Sequence, residues 1–169
     1  IRLIAHELVL KRYARYRETM DLQLRMGAVQ FPAKRPVPID MVRPGMSLHD
    51  PTETFADTMT VVEGRRRVEL VWAPSEVDDA LAVWLPDDGL LCGGAATPGF
   101  TIPNIGTPLR TQRFTIRWAE SLDRLAALNP TRLMTEFGPM VEGDDIAPML
   151  AGMSGALRWL RDEVVRRMN

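Results

Sequence analysis

Apolar positions along this chain change period several times, and each change marks an element. Ile1-Arg2-Leu3-Ile4-Ala5-His6 suits a short buried strand. From Leu8 to Met26 the apolar positions Val9, Tyr13, Tyr16 and Met20 fall on one helical face, with Lys11, Arg12, Arg15 and Glu18 elsewhere. Gly27 is the expected stop. Pro32, Pro36, Pro38, Pro44 and Pro51 then exclude both helix and central strand, so residues 32–57 read as one long loop or arm. Alternation returns at Met59 and Val61, and again at Val68, Leu70 and Trp72, around the turn Glu63-Gly64-Arg65: a hairpin.

Ala80 to Leu85 is a near-continuous apolar strand, Pro86-Asp87-Asp88-Gly89 a tight turn, and Leu90-Leu91-Cys92 the return. Gly93 to Pro108 reads as a loop rich in Gly, Pro and Thr. A second amphipathic helix covers Thr115 to Leu128, with Ala119, Leu122, Leu125 and Ala126 on one side, and Asn129-Pro130 ends it. Arg132 to Glu136 is a short strand. The last helix opens at Asp144-Asp145, whose charges suit a helix N-terminus, and carries Ile146, Leu150, Met153, Leu157, Leu160, Val164 and Met168 on one stripe. The order is that of a mixed α/β (α+β) chain without internal repeats.

Composition narrows the function more than the fold. With 169 residues, 46% apolar and 25% charged, the chain has the size and balance of one globular domain, residues 1–169. Its 21 basic and 22 acidic residues leave a net charge of -1. That excludes a strongly basic nucleic-acid binder. No apolar run is long enough to span a bilayer. A single cysteine excludes an internal disulfide or a cysteine cage, and His6 and His49 form no paired motif. A cytoplasmic location is expected. The start at Ile1, without a charged and then apolar leader, reads as the trimmed part of something longer.

Three places invite chemistry. Ser75-Glu76-Val77-Asp78-Asp79 lies between two strands, where carboxylates suit a metal or a general base; the plainer reading is a solvated turn that starts the next strand. Asn104, Thr107 and Arg110 form a candidate oxyanion clamp, with a structural turn the equal alternative. Gly93-Gly94 permits close approach of a phosphate, but no nucleotide-binding pattern surrounds it. Cys92, flanked by leucines, reads as an inert core thiol, His49 as a surface residue, and His6 as a hydrogen-bonding residue at a strand end.

Residues 72–143 resemble the C-terminal half of metallo-β-lactamase-fold hydrolases, in particular the alkyl-sulfatase-like branch. The resemblance is carried by Ser75-Glu76-Val77-Asp78-Asp79-Ala80, where that branch reads G-E-T-D-D-A, by Leu90-Leu91-Cys92-Gly93-Gly94 at the strand ending L-x-x-G-D, and by Pro103-Asn104. Trp118-Ala119-Glu120-Ser121-Leu122 and Glu136-Phe137-Gly138-Pro139, the latter where the family has G-H-G-P, extend it. Ile4-Ala5-His6-Glu7 and Tyr13-Ala14-Arg15-Tyr16 resemble the segment just upstream.

The resemblance implies half of an αββα sandwich, a mixed sheet with helices on one face, and a sheet face left for something else to cover. It also implies a degraded zinc site. The family's H-x-H-x-D-H motif is absent, Glu76 stands as a remnant ligand, Gly94 replaces the bridging carboxylate and Phe137 replaces the final histidine. Asp79, Asn104, Thr107 and Arg110 would shape a substrate pocket. The expected function is a non-catalytic subunit that completes or stabilises a partner, or its own missing N-terminal half, carrying H-x-H-x-D-H. It would form a homo- or hetero-oligomer, with no metal in this chain alone and zinc in the assembled protein. The alternatives are part of an active hydrolase of an ester, sulfate ester, lactone or thioester, and an interaction scaffold that keeps only the fold.

Overall fold

The computed structural model describes residues 1–30, 32, 38–45, 47–99, 101–106 and 113–169. Strand β1 (Ile4–His6) leads into helices α1 (Leu8–Glu18), α2 (Met20–Gln30) and the short α3 (Ile39–Val42). Strands β2 (Glu53–Phe55), β3 (Thr58–Glu63), β4 (Arg66–Trp72), β5 (Leu81–Leu85) and β6 (Leu90–Gly99) follow. Helix α4 (Thr115–Ala126), strands β7 (Arg132–Phe137) and β8 (Val141–Glu142), and helix α5 (Ile146–Met168) complete the chain. The mixed α/β class holds.

The larger sheet has six strands in sequence order, β3 to β8. All neighbours pair antiparallel except β6 and β7, which run parallel because α4 crosses between them. Helices α4 and α5 cover one face of it. There Val71, Ala82, Trp84, Leu91 and Leu133 meet Trp118, Leu122, Leu125, Leu150 and Leu157, all buried. The Trp118 indole N–H donates to the Ala96 carbonyl at 2.9 Å, so the bulkiest ring in this core has its polar atom satisfied. Cross-strand register puts Met59, Leu70, Val83, Cys92 and Met134 in one row on the opposite face. That row opens outward from a buried Leu70 to a Met134 that is 50% exposed.

Three expectations need correction. The first helix does not run unbroken to Gly27: it stops at Thr19, whose hydroxyl and N–H both donate to the Arg15 carbonyl, at 2.7 and 2.9 Å, a side-chain bond of the kind that bends helices. A second helix then continues through Gly27. The segment 32–57 is not all loop, since it holds α3 and ends in β2, which pairs in parallel with β1. The partner strand lies about fifty residues earlier, and local pattern carries no sign of it. Residues 93–99 are strand, not loop, with bulges between Cys92 and Gly94 and between Gly94 and Gly99. Gly99 at φ +97° lets this strand lie against the Phe137 carbonyl, where a Cβ would collide. The last helix opens where expected: Asp145 is the N-cap residue of α5, which begins at Ile146, and Asp144 sits in the 3-10 turn just before it.

Candidate functional site

The loop 75–79 joins β4 to β5 and is tied down from both sides. From within, Trp72 Nε1 donates to the Asp78 carbonyl at 2.7 Å. From α4, the Ser121 hydroxyl donates to the Pro74 carbonyl at 2.8 Å, and Arg117 reaches Asp78 at 3.4 Å. Each acid of the loop has its own guanidinium: Glu76 pairs with Arg113, Asp78 with Arg117, and Asp79 with Arg12 of α1. The cluster is therefore neither an open carboxylate site nor a merely solvated turn.

Arg113 matters most. Its side chain is only 6% exposed; one amino group donates to Glu76 Oε1 and the other to the Asn104 carbonyl. A buried guanidinium held by a carboxylate and a carbonyl is a fixed cation. Glu136, on β7, feels the same locality: burial raises its pKa above the ordinary value, and the negative charge of Glu76 raises it further.

Gly94 lies in the β6 bulge at φ +51°, a conformation that disfavours any side chain, and a Cβ there would approach the Leu81 carbonyl to 3.4 Å. Phe137 ends β7 with 55% of its surface exposed. Asn104 uses its side chain on its own loop, accepting from the Gly106 N–H at 3.0 Å, which is the structural-turn alternative. Thr107 and Arg110 lie outside the described residues. Asp79 lines a cavity against α1 but is itself held by Arg12. Glu76 and Asn104 are thus gathered around Arg113, with Glu136 within electrostatic reach of Glu76, while Asp79 belongs to the α1 side.

His6 is buried, 2% exposed, and stacks on Trp72 at 5.0 Å. Its Nε2 bonds the Ala56 carbonyl at 2.7 Å and its Nδ1 accepts from the Leu8 N–H at 3.3 Å, which assigns the proton to Nε2. It is a structural joint, as the sequence suggests. Burial raises the pKa of the Cys92 thiol, which keeps it protonated and a poor nucleophile.

No protein-family model matches the sequence. Over 122 residues the chain is 32% identical to a linear primary-alkylsulfatase of Pseudomonas sp. (strain ATCC 19151), covering 70% of this chain and 23% of that protein. Among solved structures, the inverting sec-alkylsulfatase Pisa1 of Pseudomonas sp. superposes with a TM-score of 0.79 at 18% identity, covering 99% of this chain and 29% of that one. In fold this is a metallo-β-lactamase-like chain, and in sequence it is similar to the alkylsulfatase branch. A metallo-β-lactamase family protein of Thermus thermophilus agrees in fold, with a TM-score of 0.62 at 20% identity over 93% of this chain and 52% of that one. The chain spans less than a third of the length of either alkylsulfatase.

The fold raises the question of zinc, and the described donors do not fit it. Glu76 already faces a guanidinium, Gly94 has no side chain, and Phe137 offers hydrocarbon. Among the described residues no group of three His, Cys, Asp or Glu stands close enough to hold a metal. The residue missed by sequence reading is Arg113. It lies 37 positions from Glu76, and no spacing rule links the two.

Proposed function

We propose that this chain is the C-terminal half of an alkylsulfatase-like metallo-β-lactamase fold whose metal position has degenerated. By itself it is non-catalytic, and it completes or stabilises the half that carries H-x-H-x-D-H, whether on the same polypeptide or on a partner. The observation that carries this reading is the Glu76–Arg113 pair: the residue read as a remnant ligand faces a protein cation. The half-exposed row from Val83 to Met134 supports a covering half, because monomers rarely leave a continuous apolar patch open. Among the described residues no helix is long and apolar enough to cross a membrane, and the reading keeps a cytoplasmic location.

The test is the zinc content of the purified chain, measured by elemental analysis after incubation with excess zinc and removal of the free ion. The expected result is far below one ion per chain. Near-stoichiometric zinc would overturn the proposal.

The 32% identity to a linear primary-alkylsulfatase favours one second reading. In it the assembled protein is an active hydrolase of a sulfate ester or related ester, its metals bound by the other half and Glu76 shaping the pocket. Glu76→Ala in the assembled protein then lowers turnover strongly, whereas unchanged turnover leaves only the first reading.

A further inference from the structure

A cavity of about 240 Å³ lies between α1 and the loop 75–79, apart from the Gly94 and Phe137 positions. Its charge is unbalanced. The loop's acids are each matched by Arg113, Arg117 or Arg12, so the two other cations on its wall, Lys11 and Arg15, have no carboxylate partner among the described residues. The Arg15 Nε is buried and makes no hydrogen bond, although its guanidinium sits over the Tyr16 ring at 5.4 Å, which holds its plane in place. Ser75 also lines the cavity, is 7% exposed, and has a hydroxyl that bonds no described group. Three buried polar atoms at this cavity make no hydrogen bond: Arg15 Nε, Ser75 Oγ and Asp79 Oδ1, the last ion-paired with Arg12; the two donors are costly unless something accepts from them.

We infer that this cavity binds a small carboxylate bearing a short hydrocarbon tail. The edge of a guanidinium matches a carboxylate with two parallel hydrogen bonds, and Arg15 has its Nε free to make one of them. Lys11 adds charge at the exposed rim, and the Ser75 hydroxyl supplies a further donor. Leu8 and Val77 give the remaining wall an apolar surface for the tail. The volume is below the roughly 300–1,000 Å³ typical of sites for drug-sized ligands, which restricts the tail to a few carbons.

Pentanoate is the probe, titrated into the chain while backbone amide resonances are followed, with pentylammonium and inorganic sulfate as controls at matched ionic strength. Saturable shifts confined to residues 8–16 and 75–79 are expected with pentanoate, none with pentylammonium, and weaker binding with sulfate, which has no tail. Arg15→Gln keeps a good helix former and is expected to weaken binding by roughly tenfold or more, the usual weight of a charge-assisted hydrogen bond. Ser75→Ala provides a readout that a purely structural role would not give: weaker binding together with unchanged or higher stability of the unliganded chain, since an unpaired buried hydroxyl is removed. Pentanoate that gives no saturable shift up to about 20 mM, enough to fill a millimolar site, overturns the inference. So does binding that is equal in the wild type and in both variants.

Discussion

The two faces of the six-stranded sheet are built from alternate residues of the same strands, yet they end in different states. Leu91 and Leu133 are paired across β6 and β7 and fully buried under α4 and α5. One position along, Cys92 and Met134 are paired on the other face, half-buried and 50% exposed respectively. The chain therefore buries one face by itself and leaves the other partly open. The site end of the sheet repeats the contrast: its charges are satisfied within the chain by Arg113, while the Phe137 ring stays exposed.

The sharpest way to break this comparison is to truncate neighbours on opposite faces. Leu133→Ala is expected to cost about 2–5 kcal/mol, the range for a buried leucine that leaves a cavity. Met134→Ala, one residue on, is expected to cost under about 1 kcal/mol in this chain, because little contact is lost on an open face. Urea denaturation of both variants decides it, and equal costs would mean the faces do not differ.

Next in size is Arg113→Ala. It strips a nearly buried cation from Glu76 and is expected to destabilise by about 1–3 kcal/mol, with part recovered in the double variant carrying Glu76→Gln. Glu76→Gln alone closes the cycle, and single-variant costs that simply add up to the double-variant cost would show that the pair is not coupled.

A smaller effect concerns the closed side. Asp123 is held below the ordinary carboxylate range by hydrogen bonds from Arg158, at 2.5 Å, and from Ser154, which join α4 to α5. A depressed pKa contributes stability that is present above the unfolded value of about 3.9 and is lost as pH falls through the folded value. The pair is half-exposed, so Asp123→Asn is expected to cost no more than about 1 kcal/mol at pH 7 and nothing at strongly acid pH. Denaturation midpoints against pH read this directly.

Smallest is Glu136, whose pKa moves the other way. Its folded pKa is raised by burial and then by Glu76, so it favours the fold below the unfolded pKa of about 4.3 and opposes it once pH has risen through the folded value. Glu136→Gln is expected to stabilise the chain at pH 7, by less than about 1 kcal/mol after solvent screening, with the gain vanishing in acid. A loss of stability at pH 7 would place Glu136 in a favourable contact instead.

Legibility in the sequence follows locality. The β3–β4 hairpin, the strands around Pro86–Gly89, the helix α4 and the stripe on α5 all rest on local periods and turn residues, and these are readable. The break at Thr19 is not, because it goes with one side-chain hydroxyl that joins the N–H on the Arg15 carbonyl. Neither β2 nor the far end of β6 is readable, since each becomes a strand only by pairing with a distant segment. At the site, the resemblance locates Glu76, Gly94 and Phe137, but it does not reveal what faces Glu76. That partner comes from 37 residues away, through a contact that only the folded sheet and α4 create.

The most direct measurement reads Glu76 itself. The side-chain carboxyl carbon resonance of Glu76, assigned by comparison with Glu76→Gln, is followed as zinc is added to the purified chain. The account predicts no saturable shift, because the carboxylate stays with the Arg113 guanidinium. A saturable shift of that resonance at one zinc per chain would contradict it.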